Sequence, residues 1–479
     1  MAVEPLVAAP DGLLAEAWVR APDADTMWQQ VQHDVGGVVA LVPPSCVEAA
    51  AALSGFDAHL ARLVDGKGTF YVVLAAGASP AEVGWAAALP LTDSTRAAET
   101  LFDASGLQVG GPGLPPRWVA GMRVLEAGAG PPSETVALAG PWLVVASSKQ
   151  DLARLGPYAA RAMPTKVAPG SAAVEVSVPA AALAGVVSTQ LLSRWAALRS
   201  WLAARDEEQR VAHGGRAPDF ADPRAILDAA DGVVRRRIGV VAMASAARIE
   251  LGTDEGDLRA DVLLAPGPDD AGAGAFAALR PGPAEPLAEV PADAVVAILV
   301  RDDAAGRADD ARAIEAALDR ALGSRARPED TAAIQTALDD WAHERGDWIT
   351  ASLAWGGDSG ARGLWLRTPA AGDGASRALR EIVQLSHRHA FEALLAAQAM
   401  PEGRLSDDPR TARLVRGLGG DVVLALIARP LRFDPARASG DAGLAPAVLA
   451  LGRRGGDAWL RVELGGALLH ELVRLKAGL

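Results

Sequence analysis

The fold class follows first from one stretch of sequence, Arg248-Ile249-Glu250-Leu251-Gly252-Thr253-Asp254-Glu255-Gly256-Asp257-Leu258-Arg259-Ala260-Asp261-Val262-Leu263-Leu264. Apolar and charged residues alternate on both sides of a segment rich in Gly and Asp. Alternation of this kind is typical of half-buried strands, and Gly and Asp are typical of tight turns. The stretch therefore predicts a β-hairpin with one buried face and one solvent-exposed face.

Similar patterns recur along the chain. Four further stretches predict hairpins, namely residues 70–91, 136–146, 349–366 and 448–464. Short apolar runs predict four lone, buried strands at residues 36–42, 172–178, 294–300 and 421–427. The last three hairpins begin at Ile249, Ile349 and Val448. A spacing of about 100 residues suits tandem or duplicated small domains better than a solenoid.

Helical periodicity fills the gaps between these strands. Apolar residues recur at intervals of three and four in residues 183–204, 309–322 and 329–341. Closing helices are predicted after hairpins at 148–163, where Ser148 and Asp151 resemble a capping box, at 376–397 and at 466–476. The chain therefore predicts an α+β fold of repeated strand-helix-hairpin-helix units. We expect mixed or mostly antiparallel sheets, with helices packed on one face.

Length and composition suggest several domains. The chain has 479 residues, half of them apolar, with 50 Gly and 32 Pro. The Pro-rich segment 281–286 predicts a linker that proteases can cut, and residues 163–170 predict a second boundary. We therefore predict a first α+β domain at residues 1–165, a second unit at 166–283, and a third region at 284–479 with two hairpin-helix units.

The charge distribution argues against nucleic acid as a partner. The net charge is −13, whereas phosphate binding needs a concentrated basic surface. Arg235-Arg236-Arg237 forms the one basic run and is interpreted as the solvated end of a strand, with a patch for an anionic partner as the alternative. Only four of the 46 basic residues are lysines, which is typical of proteins from GC-rich bacteria.

The compartment is left open by the sequence. No stretch predicts a transmembrane helix, since 238–247 is only about half of the roughly 20 apolar residues that a span needs. The start, Met1-Ala2-Val3-Glu4-Pro5, lacks the basic region and apolar segment of a signal peptide. We expect a periplasmic or cell-envelope protein if a signal peptide was removed, and a cytoplasmic protein otherwise.

One sequence fragment suggests a catalytic nucleophile. Gly357-Asp358-Ser359-Gly360 is similar to the nucleophile segment of chymotrypsin-like serine proteases. However, the fragment lies between two predicted strands, and a catalytic triad also needs a positioned His and Asp. We interpret Ser359 as part of a hairpin turn and expect no catalytic residue. The single cysteine, Cys46, is interpreted as a small buried residue.

Several side chains are candidates for metal ligands. His387 and His389 fall in a predicted helix, where residues two apart point in different directions. His343 is interpreted as part of a helix end, and Asp222 before Pro223 as an N-cap. Asp302-Asp303 remains a candidate cation site. We expect no metal and no cofactor.

The aromatic composition suggests a binding surface. The chain has 12 Trp against seven Phe and two Tyr, and six Trp lie on or beside predicted hairpin strands: Trp85, Trp142, Trp348, Trp355, Trp365 and Trp459. Trp is favoured in binding sites because it offers a large amphipathic surface. These residues are candidates for an apolar binding surface, and core filling in an Ala-rich protein is the alternative.

Two segments resemble those of known proteins: Glu289-Val290-Pro291-Ala292-Asp293-Ala294-Val295-Val296 and Gly140-Pro141-Trp142-Leu143-Val144-Val145-Ala146-Ser147-Ser148. They resemble a large group of uncharacterised bacterial extracytoplasmic proteins, in which a Pro-Ala-Asp turn enters a strand and a strand, Ser-Ser, helix element recurs. The resemblance covers about a third of the chain. It implies a location in the cell envelope and no known activity.

The function that these patterns favour is non-enzymatic binding or scaffolding in a bacterial cell envelope. A carrier or sensor for a lipid or small hydrophobic ligand is the alternative, and a hydrolase is the third. The expected partner is therefore a protein or a small hydrophobic ligand, not nucleic acid.

Overall fold

The computed structural model describes residues 7–35, 45, 47–48, 62–77, 82–99, 118–125, 135–212, 223–254, 257–322, 327–355, 361–369, 403–433 and 445–470. The chain divides into two compact units. Unit 1 comprises Met1–Val186, Ser245–Val262 and Leu469–Leu479, and unit 2 comprises Val187–Ala244 and Leu263–Leu468. Both units combine helices with antiparallel strands, so the predicted α+β class is confirmed.

Unit 1 is built on hydrogen-bonded strands, ten of them within the described residues. They are β1 Leu13–Arg20, β2 Thr69–Ala76, β3 Val83–Pro90, β4 Trp118–Val119, β5 Met122–Leu125, β6 Thr135–Ala139, β7 Trp142–Ala146, β8 Val174–Pro179 and, lying mostly in this unit, β9 Ala244–Asp254 and β10 Asp257–Pro266. Their order in space is β10-β9-β8-β1-β2-β3-β7-β6-β5-β4. Strand β1 is central because it pairs antiparallel with β2 on one side and with β8 on the other.

The helices of unit 1 flank this sheet. Those in the described part of the unit are α1 Ala21–Val35, α2 Ser94–Ala98, α3 Lys149–Pro157 and α4 Ala180–Ala182. Helix α3 continues as a π-helix over Tyr158–Ala162 and a 3-10 turn over Met163–Thr165, and α4 continues as a π-helix over Leu183–Val187.

The core of unit 1 lies on both faces of its sheet. Val144 of β7 belongs to a buried cluster with Leu152 and Leu155 from the α3 element, whereas the next residue, Val145, belongs to a second cluster. Alternation along a strand sends neighbouring side chains to opposite faces. Ala98 of α2 packs against the second cluster. Helices therefore contact both faces of unit 1, which differs from the predicted packing on one face.

Unit 2 contains a second antiparallel arrangement. Its strands are β11 Ala294–Arg301, β12 Trp348–Trp355, β13 Ala361–Arg367, β14 Val422–Ala428, β15 Ala447–Arg454 and β16 Asp457–Leu464. Their order is β13-β12-β11-β14-β15-β16, with every neighbouring pair antiparallel. The two lone strands β11 and β14 therefore lie side by side, each next to a hairpin.

The helices of unit 2 within the described residues are α5 Ser188–Ala212, α6 Pro223–Ala242, α7 Asp270–Ala277, α8 Ala304–Leu322, α9 Pro328–Glu344 and α10 Pro409–Leu418. Short 3-10 turns lie at Glu285–Glu289, Leu405–Asp407 and Pro430–Phe433. Helix α10 contributes Leu414 and Leu418 to the core, where they meet Leu299 of β11 and Ile427 of β14. Helix α5 packs on α6, α6 on α8, and α8 on α9.

All five predicted hairpins are present, and three predicted lone strands correspond to β8, β11 and β14. The predicted strand at 36–42 and the predicted helix at 376–397 lie outside the described residues. Strand β1 was not predicted, although it is central. The two compact units also divide the chain differently from the three regions 1–165, 166–283 and 284–479.

Candidate binding surface

A carboxylate of α6 binds three side chains on one side of the two-helix contact with α5. Asp231 of α6 accepts hydrogen bonds from Trp195 Nε1 at 2.7 Å, from Arg199 Nη1 at 3.1 Å and from Arg235 Nε at 2.7 Å. The bonds from Arg235 and Trp195 hold the pKa of Asp231 below its usual value. Asp231 is therefore ionised at neutral pH and fixes the side of α5 that carries Trp195 and Arg199.

The remainder of α5 is largely exposed to solvent. Eight large apolar side chains among the described residues are exposed, and four of them lie on this helix: Leu191, Leu198, Trp201 and Val211. Trp201 is 57% exposed and Leu198 46%. Scattered exposed apolar residues are normal on a protein surface, but their concentration on one element indicates an interaction site.

A contiguous part of this surface surrounds Trp201. Six exposed residues occupy one side of the helix: Arg194, Ala197, Leu198, Trp201, Ala204 and Glu208. At 3.6 residues per turn they fall within an arc of about 120° centred on Trp201. We call these six residues the α5 outer face. The face combines an apolar centre with an arginine near one end and a glutamate near the other.

The sequence predicted helix α5 but did not predict which side of the helix is exposed. Leu191, Leu192, Trp195 and Leu198 recur at helical spacing, and such spacing predicts one buried stripe. In the structure Trp195 lies on the side held by Asp231, whereas Leu198 points to solvent. The sequence signal that distinguishes the buried side from the exposed side is Trp201, six residues after Trp195. Because six residues are not a whole number of helical turns, the two tryptophans lie on different sides of the helix.

The six predicted Trp residues lie in different parts of the fold. Trp85 and Trp142 pack against the two clusters on opposite faces of unit 1, and Trp142 meets Tyr71 edge-on with ring centroids 5.3 Å apart. The tryptophans Trp348, Trp365 and Trp459 contact the core of unit 2. Trp355 lies in β12, but its side chain is outside the described residues. Ligand binding by these residues stays a prediction.

The basic run Arg235-Arg236-Arg237 lies within α6, so its interpretation as a strand end was wrong. Pro223 occupies the first helical position, as predicted, and the pair of Asp231 with Arg235 has the spacing of four that supports a helix. Arg236 Nη2 lies 4.0 Å from Asp310 Oδ1 of α8. Two arginines of this run therefore face carboxylates of unit 2.

The Asp302-Asp303 segment forms a structural network with an arginine. The buried Arg345 places Nη2 3.0 Å from Asp302 Oδ2 and 3.8 Å from Asp310 Oδ2. Burial and the neighbouring Asp302 together raise the pKa of Asp310 to about 6. Asp303 instead accepts a hydrogen bond from the backbone N–H of Gly306 at 2.9 Å. Asp302 is therefore a partner of Arg345, and Asp303 supports the first turn of α8.

Several candidate side chains lie outside the described residues: Cys46, Asp222, Ser359, His387 and His389. The strands β12 and β13 that flank Ser359 pair antiparallel, as the hairpin prediction requires. His343 lies in the last turn of α9, with Nδ1 2.8 Å from the carbonyl oxygen of Asp339.

The described residues contain neither a cluster of metal ligands nor a helix suited to span a membrane. No three His, Cys, Asp or Glu side chains gather there in a way that could hold a metal ion. None of the helices in the described ranges has the length and hydropathy of a membrane span.

A polar triad in unit 1 joins the buried Glu16 and Tyr158 to the more exposed Lys166. Tyr158 Oη donates to Glu16 Oε1, and Lys166 Nζ lies 2.5 Å from Glu16 Oε1 and 2.6 Å from Tyr158 Oη. Burial and Glu16 raise the pKa of Tyr158. Burial alone would lower the pKa of Lys166, but its bonds to Glu16 and Tyr158 raise it. At neutral pH the phenol is therefore neutral and the amine charged, so neither is a base or nucleophile.

The two segments that carry the resemblance have structural roles. Ser148 Oγ accepts from the backbone N–H of Asp151 at 3.0 Å at the start of α3, as expected for a helix cap. Ser147 Oγ accepts from the backbone N–H of Trp85 at 2.9 Å. In the other segment, the carbonyl of Ala292 accepts from Arg429 Nη1 at 2.9 Å. Both segments therefore fix backbone positions.

No protein-family model and no curated protein matches the chain. Two crystal forms of the protein TP0453 are similar to it. Form I has 9% sequence identity and a TM-score of 0.25, and the match covers 55% of this chain and 81% of that chain. Form III has 10% identity and the same TM-score, covering 55% and 82%.

Proposed function

We propose that the protein is a non-enzymatic binding or scaffolding protein, and that the α5 outer face is its binding surface. The observation that carries this proposal is the concentration of exposed apolar side chains on α5, with Trp201 at its centre. Trp is among the residues that contribute most to protein interfaces, and an adjacent Leu extends the apolar area. The proposed partner is therefore a protein.

Site-specific photo-crosslinking in cells of the native host tests the binding surface. A benzoylphenylalanine residue at Ala197 lies on the outer face, whereas one at Ala196 is exposed but about 140° from Trp201. We expect a discrete crosslinked protein from position 197 and none from 196. The identified partner, once purified, should bind the Trp201→Glu variant at least about tenfold more weakly than wild type. Absence of a crosslink from position 197 would contradict the proposal.

The non-enzymatic part of the proposal has its own test. Ser359 is the residue most similar to a catalytic nucleophile, and we expect a fluorophosphonate probe to leave the protein unlabelled. Stoichiometric labelling that disappears in Ser359→Ala would overturn the proposal and favour a hydrolase. The Ser359→Ala variant should otherwise change the free energy of unfolding by less than about 0.5 kcal/mol.

We also propose that the chain is built from four strand-and-hairpin repeats. The support is the strand order, in which hairpin, lone strand, lone strand and hairpin follow one another in β10-β9-β8-β1-β2-β3 and again in β13-β12-β11-β14-β15-β16. The cell envelope remains the proposed location. Fractionation of cells that express the native gene from its own start tests the location, and recovery in the cytoplasm would contradict it.

A further inference from the structure

We infer that the α5 outer face pairs with the same face of a second copy of this chain, in antiparallel orientation, around a two-fold axis at Trp201. The inference rests on the proposed function and names its partner. A face that meets itself across a two-fold axis must be self-complementary. The six residues of the α5 outer face satisfy this condition in both size and charge.

The two-fold axis brings together residues at equal distances before and after Trp201. Leu198, three residues before, then meets Ala204 of the second copy, three residues after. A large side chain thus lies opposite a small one, which is the arrangement that lets helices pack closely. The two Trp201 rings meet at the centre, where aromatic pairs gain contact energy beyond their buried area.

The same axis pairs opposite charges. Arg194 lies seven residues before Trp201 and Glu208 seven residues after, and both are exposed on the outer face. In the antiparallel pair, each Arg194 meets the Glu208 of the second copy, so two ion pairs flank the apolar centre. A parallel pair would instead place Arg194 against Arg194 and Glu208 against Glu208. Charge complementarity therefore selects the antiparallel orientation.

The size of the face sets the strength of the dimer. The 14 steps from Arg194 to Glu208 correspond to about 21 Å of helix. A contact of one helix of this length is small compared with the roughly 1,200–2,000 Å² of stable interfaces. We therefore expect a reversible equilibrium between monomer and dimer that depends on protein concentration.

Sedimentation velocity of the full chain over a range of concentrations tests the inference. We expect wild type to dimerise reversibly and Trp201→Glu to sediment as a monomer throughout.

Arg194→Glu and Glu208→Arg should each weaken dimerisation at least about tenfold, since each places like charges opposite one another. The double variant with both charges exchanged should return to within about threefold of wild type. Ala196→Glu, on another side of the helix, is the control and should leave dimerisation unchanged. Circular dichroism checks that each variant is folded.

The possible failures are distinguishable. A wild-type chain that remains monomeric overturns the inference, while a crosslink from Ala197 to a different protein would leave the proposed function standing. Dimerisation that is equally strong in Trp201→Glu overturns the inference because the contact then lies elsewhere. A double variant no better than the single variants overturns the two-fold geometry. Absence of both a dimer and a crosslink contradicts the inference and the proposed function together.

Discussion

Arginines at the ends of lone strands connect neighbouring parts of each unit. Three side chains donate to backbone carbonyls near the beginning of the adjacent lone strand: Arg20 to Ala172, Arg301 to Pro283 and Arg429 to Ala292. A guanidinium suits this position because it offers five donors in a rigid fork and stays charged. Arg301 and Arg429 are buried, so their bonds to carbonyls and carboxylates offset the cost of burying the charge.

Replacement of Arg429 by Met should strongly destabilise unit 2. Arg429 Nη2 lies 3.2 Å from Asp408 Oδ2 and 3.1 Å from Thr411 Oγ1. Without the guanidinium, Asp408 and the carbonyl of Ala292 lose a buried partner. Breaking such a pair by removing one member costs about 3 kcal/mol or more. Urea denaturation followed by Trp fluorescence measures the loss.

The matched control is Arg454→Met. Arg454 Nε lies 2.7 Å from Asp421 Oδ2, but the arginine side chain is 73% exposed. Exposed pairs contribute little because water screens them. We expect a change within about 0.5 kcal/mol. Equal losses in the two variants would show that burial of Arg429 does not determine its contribution.

The pKa of Asp310 gives unit 2 a characteristic pH dependence. Burial and Asp302 raise this pKa to about 6, above the ordinary value of 3.8. Between these values the folded chain holds a proton on Asp310 that the unfolded chain has lost. The contribution of Asp310 to the free energy of unfolding therefore increases as the pH falls from about 7 towards 4. The gain is on the order of 2 kcal/mol.

Asp310→Asn isolates this effect. Lowered pKa values are found for Asp151, Asp231 and Asp408, so the contributions of these residues to the free energy of unfolding decrease as the pH falls. Because the three residues are present in both proteins, their contributions cancel in the difference. The difference in unfolding free energy between wild type and Asp310→Asn should move in favour of wild type on acidification. It is measured by urea denaturation at pH 7.5, 6 and 5. A difference that is constant over this range would contradict the raised pKa.

At the scale of elements, the hairpins could be predicted from the sequence because alternation and turn residues are local signals. The predicted stretch 448–464 matches β15 and β16, whose residues pair from Ala447 with Leu464 to Arg454 with Asp457. Strand β1 could not be predicted in the same way. Glu16 in its centre is buried, and what stabilises it there is Tyr158 and Lys166, about 140 residues away in sequence.

The buried and exposed sides of α5 could not be predicted from the sequence either. Spacing identifies a helix, but which side is buried depends on the partner, and that partner is Asp231 on α6. The candidate binding surface therefore depends on the contact with Asp231, which the sequence of α5 alone does not contain. Local sequence patterns predict the helices and strands, whereas contacts between residues distant in sequence determine which side of each element is buried.

Ser148→Ala tests the helix start that the sequence did predict. Ser148 Oγ accepts from the N–H of Asp151 and donates to Asp151 Oδ2 at 2.7 Å. Loss of a Ser N-cap typically costs about 1 kcal/mol. Ser200→Ala, in the exposed middle of α5, removes the same hydroxyl without a cap and should change stability by less than about 0.5 kcal/mol. Thermal denaturation of both variants provides the comparison, and equal effects would contradict a capping role.

At the scale of the whole molecule, the Pro-rich segment 281–286 behaves differently from a linker. Gly282 pairs with Val422 through two backbone hydrogen bonds, of 2.9 Å from its N–H and 2.8 Å to its carbonyl. The neighbouring carbonyl of Pro283 accepts from Arg301, and Leu287 just beyond is fully buried. Composition predicted a linker because Pro and Gly are typical of linkers, but the backbone pairing of Gly282 is made with Val422, more than a hundred positions away in sequence.

Limited proteolysis of the native protein should therefore leave 281–286 uncut, contrary to the expectation from composition. A protease needs an extended, locally unfolded segment, and a segment held by strand pairing opens rarely. Mass spectrometry of early thermolysin fragments should show no new terminus between 281 and 286. Arg301→Met removes the bond to Pro283 and should make cleavage there faster, whereas Arg454→Met should not. An early cut at 281–286 in wild type would instead favour the division into regions that ends the second unit at residue 283.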